Sequence, residues 1–221
     1  MGRGNRGGAG RRLRGALAGY EAKRGRDHPE TLAAVNNLAE VLREQGDLAG
    51  AERLFRRALA GFEAQLGPNH VDTLGSAGSL SLVLRAQGNQ AEAAPLIRRA
   101  QAGFEAQLGP NHPYSLTSLN DLACIVHDQG SLGEAERLHR RALKGREVKL
   151  GRDHPHTLNT VNNLALVMQD RGNLVEAERL YRRALAGREA ELGPDHPHTL
   201  TPASNLASLL ADRKSTRPDS S

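Results

Sequence analysis

The chain has 221 residues, 38% of them hydrophobic and 3% aromatic, enough for one or two domains with a buried core. It has no apolar run long enough to span a bilayer, no apolar segment after its basic start to act as a secretory signal, and one cysteine, Cys124, which leaves no internal disulfide; a reducing, cytoplasmic location is expected. The formal net charge of +5 is uneven, with eight Lys/Arg against one Glu in residues 1–26 and 22 against 24 in the remainder, so the body is nearly neutral and lacks the bulk charge of a nucleic-acid-binding surface.

Residues 1–10 form an Arg/Gly-rich tail, read as disordered. Residues 11–26 match the end of a helix that recurs later, with Leu13 and Tyr20 at positions that return as Phe55 and Phe62. A short opener follows and then repeats: DHPETL at 27–32, NHVDTL at 69–74, NHPYSL at 111–116, and DHPHTL at 153–158 and 195–200. Its histidines, His28, His70, His112, His154 and His196, are spaced 42 residues apart. A glycine keeps the same step at 46, 88, 130 and 172, and residues 27–68 match residues 153–194 at 28 of 42 positions. Fixed-period self-similarity marks an array of stacked units. The units are 27–68, 69–110, 111–152 and 153–194, followed by a half unit at 195–213 and a tail, read as disordered, at 214–221.

Within a unit the apolar spacing is helical. Leu32, Val35, Leu38, Ala39 and Leu42 make one stripe, Gly46 ends it, and Leu48, Ala51, Phe55, Ala58, Phe62 and Leu66 make a second that Gly67 and Pro68 close. Counting between breakers gives a helix of ~16 residues and another of ~19. No stretch alternates with period two, so the fold class is all-α, a solenoid of antiparallel helix hairpins. Alanines at 39, 51 and 58, with counterparts at 93, 100, 123, 135, 142, 165, 177 and 184, allow close helix approach.

The opener carries the residues that most suggest chemistry, Asp153, His154 and His156. A metal would need ligands converging within ~2 Å of one ion, whereas the repeated histidines fall on successive units. Pro155 suits the first turn of a helix, and the polar residues before it suit a cap. The opener therefore reads as a helix start, with no metal ligand set. No nucleophile elbow, phosphate loop or paired-cysteine motif is present, so no catalytic residue and no cofactor is assigned. Cys124 and His127 lie three apart on one helix without a third, orienting group.

The run Asn-Asn-Leu-Ala, then Gly-Asp/Asn-Leu, then Ala-Glu-Arg-Leu-Phe/Tyr-Arg-Arg-Ala-Leu resembles the tetratricopeptide repeat. The 42-residue spacing and the LGPDHP linker resemble its kinesin light chain-like form, over about residues 11–213. The resemblance implies a right-handed superhelix whose first helices line a groove for an extended peptide of a protein partner. The groove residues it implies are Asn36, Asn37, Arg43, Ser79, Arg85, Asn120, Asp121, His127, Asn162, Asn163 and Asn205. An amide carries donors and an acceptor and so can pair with a peptide unit. The stripe Arg43, Arg85, His127 favours acidic residues in the peptide, while Leu82, Cys124 and Leu166 suit an apolar anchor. The opposing reading of the asparagines is that they brace neighbouring helices. The pairs Arg56–Arg57, Arg98–Arg99, Arg140–Arg141 and Arg182–Arg183 read as a solvated outer face, with Glu52, Glu136 and Glu178 four residues before the first arginine. An alternative function is RNA association through Arg3, Arg6, Arg11, Arg12 and Arg14 of the tail. Repeat faces left open at the ends predict end-to-end self-association.

Overall fold

In the computed structural model the described residues are 3–215, with side chains described for 12–211; Met1, Gly2 and the 216–221 part of the expected C-terminal tail lie outside them. Every regular element among the described residues is an α-helix. Two compact units are present, residues 1–109 and 110–221. The first holds α1 (Arg3–Arg24), α2 (Pro29–Glu44), α3 (Leu48–Leu66), α4 (Val71–Ala86) and α5 (Gln90–Leu108). The second holds α6 (Pro113–Asp128), α7 (Leu132–Leu150), α8 (Pro155–Asp170), α9 (Leu174–Leu192) and α10 (Pro197–Ser215).

The even-numbered helices α2, α4, α6 and α8 have 16 residues and α3, α5, α7 and α9 have 19, as the spacing of breakers implies. The first helix, α1, starts at Arg3, inside the stretch read as a tail, and runs unbroken to Arg24. No proline interrupts it, and its arginines and alanines are good helix formers.

Local chemistry explains the boundaries. Each opener histidine sits just before a helix and accepts, through Nδ1, the backbone N–H two residues on: His28 from Glu30, His70 from Asp72, His112 from Tyr114, His154 from His156 and His196 from His198, at 3.1–3.3 Å. A side-chain acceptor there satisfies an amide that the helix leaves orphaned. Thr31, Thr73, Thr157 and Thr199 donate from Oγ1 to the carbonyls of Gly25, Gly67, Gly151 and Gly193 at 2.8 Å, tying the helix start to the preceding turn.

The inner turn of the first complete hairpin is equally economical, and Asn89 and Asn173 cap α5 and α9 in the same way, whereas Ser131 makes no side-chain cap at α7. Gly46, at φ 85°, donates to Arg43 O, and Asp47 N–H donates to Leu42 O, closing α2. Asp47 Oδ1 then accepts from Gly50 N–H at 2.9 Å and opens α3, so one residue ends the first helix and begins the second.

Within unit one, successive helices pack α1 on α2 on α3 on α4 on α5; within unit two the order is α6 to α10. All the alanines read as packing positions are buried. A glycine at the centre of each second helix matters as well. A Cβ at Gly61 would meet the Leu32 methyl carbon at 2.5 Å, and Gly103 and Gly187 stand likewise against Leu74 and Leu158. Burying a leucine such as Leu32 stabilises by about 1.5–3 kcal/mol, and glycine opposite it lets the two helices close on that side chain.

Candidate functional site

In unit one α2 touches α4, and in unit two α6 touches α8 and α8 touches α10, whereas the longer second helices α3 and α5, or α7 and α9, do not approach at backbone level. Helices that lie closer together on one side of a stack make that side its inner side. Each unit is therefore concave toward its first helices and convex toward its second helices.

The convex side is held by long side chains. Arg56 pairs with Glu52 at 2.9 Å, Arg140 with Glu136 at 2.8 Å and Arg182 with Glu178 at 2.7 Å, at the i,i+4 spacing expected. Arg56 also reaches Glu92 on α5; the Gln87 bond first and Arg56 second hold the Glu52 carboxyl below the ordinary range, and the Arg56 bond holds Glu92 there. The second arginine of the pair does something the sequence reading did not assign. Arg57 reaches Glu21 at 2.7 Å and Arg26 O at 2.9 Å; Arg183 reaches Glu147 at 2.7 Å and Arg152 O at 3.0 Å. These arginines staple a second helix to the second helix before it. A cleft of about 350 Å³ opens beside Arg56 in unit one, lined also by Leu59, Leu80, Pro95 and Leu96.

On the concave side, Asn37 is exposed and Asn36 is half-buried. The amide oxygens of Asn36 and its counterpart Asn120 are buried without a hydrogen-bond partner among the described residues. Arg43 turns back on Glu40 of its own helix, with Nε 3.2 Å from Oε1. Ser79 and Arg85 are half-buried on α4.

In unit two the polar residues meet. Asn120 Nδ2 donates to Asp121 Oδ1 at 3.4 Å, and Asn163 Nδ2 to Cys124 Sγ at 3.4 Å. Asn205 Nδ2 donates to Asn162 Oδ1 at 3.1 Å, linking α10 to α8. His127 Nε2 lies 2.6 Å from Asp170 Oδ2. The Asn162–Asn205 pair is a brace between first helices, whereas Asn163, bonded among the described residues to a weak sulfur acceptor through Nδ2, keeps its amide oxygen for other partners.

Two residues absent from the sequence-level site stand out. Arg146 on α7 and Arg188 on α9 are 3% and 5% exposed, at positions that hold Phe62 and Phe104 in unit one. Arg146 Nη1 donates to His156 O at 2.9 Å and Thr160 Oγ1 at 2.7 Å, and its Nη2 to Thr117 Oγ1 at 3.2 Å. Arg188 Nη2 donates to Pro155 O at 2.9 Å and Asn159 Oδ1 at 2.5 Å. Burial works against both charges, offset by Asp121 and Cys124 near Arg146 and by Glu191 near Arg188. Burial, then the charge of Arg146, also lowers the pKa of the His156 imidazole. The repeat carries a signal for these two arginines in the sequence, since one position reads Phe62, Phe104, Arg146 and Arg188 in successive units. Among the described residues no three His, Cys, Asp or Glu side chains converge, and no helix is long and apolar enough to cross a membrane.

Family models described as Tetratricopeptide repeat match residues 3–64, 30–106 and 79–147, and a second such model matches residues 157–198. A crystal structure of kinesin light chain nearly identical TPR-like repeats from Podosopora anserina is 26% identical, covers 86% of this chain and 90% of its own, and superposes with a TM-score of 0.71. The crystal structure of BtubC (BKLC) from P. vanneervenii is 20% identical, covers 97% of this chain and 85% of its own, and shares the fold with a TM-score of 0.73. Among curated proteins none matches.

Proposed function

The chain is a member of the tetratricopeptide repeat family, with repeats of the kinesin light chain-like type, and on that premise we propose that it is a non-enzymatic scaffold holding an extended segment of a partner protein along its first helices. The observation that carries this reading is the closer approach of first helices within each unit, which makes their side the concave one. A concave strip brings side chains from several helices onto one extended chain, which a convex strip cannot do. Asn37 and Asn163, at the same register, offer amide groups to a peptide backbone, and backbone pairing makes few demands on peptide sequence.

Arg43 and His127 are engaged by Glu40 and Asp170, so these two members of the stripe give an acidic segment less to pair with than their positions in the sequence imply. The test is selection of displayed random peptides on the full chain, followed by affinities for Asn37→Ala and Asn163→Ala. Loss of a side-chain pair worth about 1 kcal/mol weakens binding roughly fivefold per site. Selected peptides that bind both variants as tightly as the parent would contradict the reading.

A further inference from the structure

Arg146 and Arg188 occupy one repeat position, yet their surroundings differ in a way that defines a pocket. Arg146 donates to acceptors on both flanking first helices: Thr117 on α6, and His156 O and Thr160 on α8. The counterpart of Thr160 on α10 is Pro202, which has no hydroxyl. Among the described residues both acceptors of Arg188, Pro155 O and Asn159 Oδ1, lie on α8, and both take their bonds from Nη2. A guanidinium has five N–H donors, and among the described residues Nη1 and Nε of Arg188 have no protein acceptor.

Beside Arg188 is a pocket of about 60 Å³, walled by Arg188, Asn159, Asn162, His198, Thr201 and Pro202. A site that admits one water needs ~10–15 Å³, so this one has room for a few waters or one small polar group and none for an aromatic ring. A buried charge without a carboxylate within ion-pair reach is normally neutralised or paired, and arginine does not give up its proton. Planar carboxylates match the guanidinium fork through two parallel bonds.

We propose that this pocket is a receptor for one carboxylate group, gripped by Arg188 with Asn162 and Thr201 as secondary contacts. The carboxylate comes either from an acidic side chain of the bound segment, in which case the inference deepens and rests on the peptide-binding reading, or from a free small acid. Two differences set Arg188 apart from Arg146: Pro202 lacks the hydroxyl that Thr160 offers, and among the described residues the His198 carbonyl, counterpart of His156 O, takes no bond from Arg188. The Arg146 position, with acceptors on both sides, is the built-in control.

The experiment uses the full chain and follows arginine Nε–H signals by NMR while sodium acetate is added at constant chloride-balanced ionic strength, with inorganic phosphate as a second probe. Saturable shifts at Arg188, and none at Arg146, are expected with acetate. The Asn162 side-chain amide, which lines the same pocket, shifts with acetate in the parent and no longer does so in Arg188→Met. Pro202→Thr, which supplies the missing hydroxyl without removing the arginine, weakens acetate binding and guards against a folding artefact in the first variant. No saturable acetate shift at Arg188, or a shift only with phosphate, would overturn the assignment. The segment arm compares selected peptides carrying Glu with their Gln versions: a tenfold loss with Gln that disappears in Arg188→Met places the source in the segment. Acetate binding with peptides indifferent to the change places it in a free acid. Failure of peptide selection with acetate still bound at Arg188 would sink the peptide reading and leave the pocket standing.

Discussion

The two units use the same hairpin but fill one buried position differently. In unit one it holds Phe62 and Phe104, both within the apolar core; in unit two it holds Arg146 and Arg188, buried just as deeply. Eight residues earlier on the same helices no such exchange occurs: Leu54 and Leu96 in unit one correspond to Leu138 and Leu180 in unit two. The substitution is therefore local to one site rather than a general loss of apolar character. It is tolerated because the neighbouring first helix offers carbonyls at its N-terminal turn and hydroxyl or amide side chains, such as Thr160 and Asn159, that accept from the guanidinium. A charge taken out of water is stable only when its donors are met. The hairpin scaffold thus has one interior position where a repeat can exchange packing for polar recognition.

The largest effect that separates the units is packing. Phe62→Ala should cost about 3–5 kcal/mol, read as a lower midpoint in urea at unchanged slope. A loss near zero would mean that the phenylalanine is not the core element its 1% exposure implies. The caps come next and are common to both units: His70→Ala and His154→Ala should each cost about 1 kcal/mol. Unequal losses would show that the units differ in their helix starts as well. Arg146→Met should change stability by less than about 1 kcal/mol, because an apolar side chain of similar reach replaces a desolvated charge. A loss comparable with that of Phe62→Ala would make Arg146 a structural keystone and dissolve the contrast.

Arg57→Ala, removing a staple, should cost at most about 1 kcal/mol and lose its effect in high salt. The smallest effect is a titration. Burial first, and the Arg146 charge second, push the His156 pKa below its ordinary 6.5. The folded state then binds this proton less readily than the unfolded chain, so the contribution is present above pH 6.5 and is lost as pH falls below it. By NMR the His156 midpoint should rise in Arg146→Met; a midpoint that stays put would remove Arg146 as a cause.

Much of this architecture was legible in the sequence. The 42-residue step and the breakers placed every complete helix, because glycine and proline report on backbone geometry that is local. The opener histidines were legible as helix starts for the same reason, and His154 caps as its position implied. The start of α1 was not, since glycines weaken a helix without forbidding it. The roles of Arg57 and Arg183 were hidden because their partners lie on the previous second helix, beyond any i,i+4 rule. In the candidate site, residue types at groove register were readable from the repeat. Which amide braces (Asn162 with Asn205) and which stays available (Asn163) depends on side-chain geometry that spacing does not encode. Arg188 was missed because its meaning depends on Pro202, a residue on another helix.

The most direct measurement of the central claim is amide chemical-shift mapping of a selected peptide on the full chain. The account predicts shifts concentrated on the first helices, including the side-chain amides of Asn37 or Asn163. Shifts confined to α3, α5, α7 and α9, the convex helices, would contradict it.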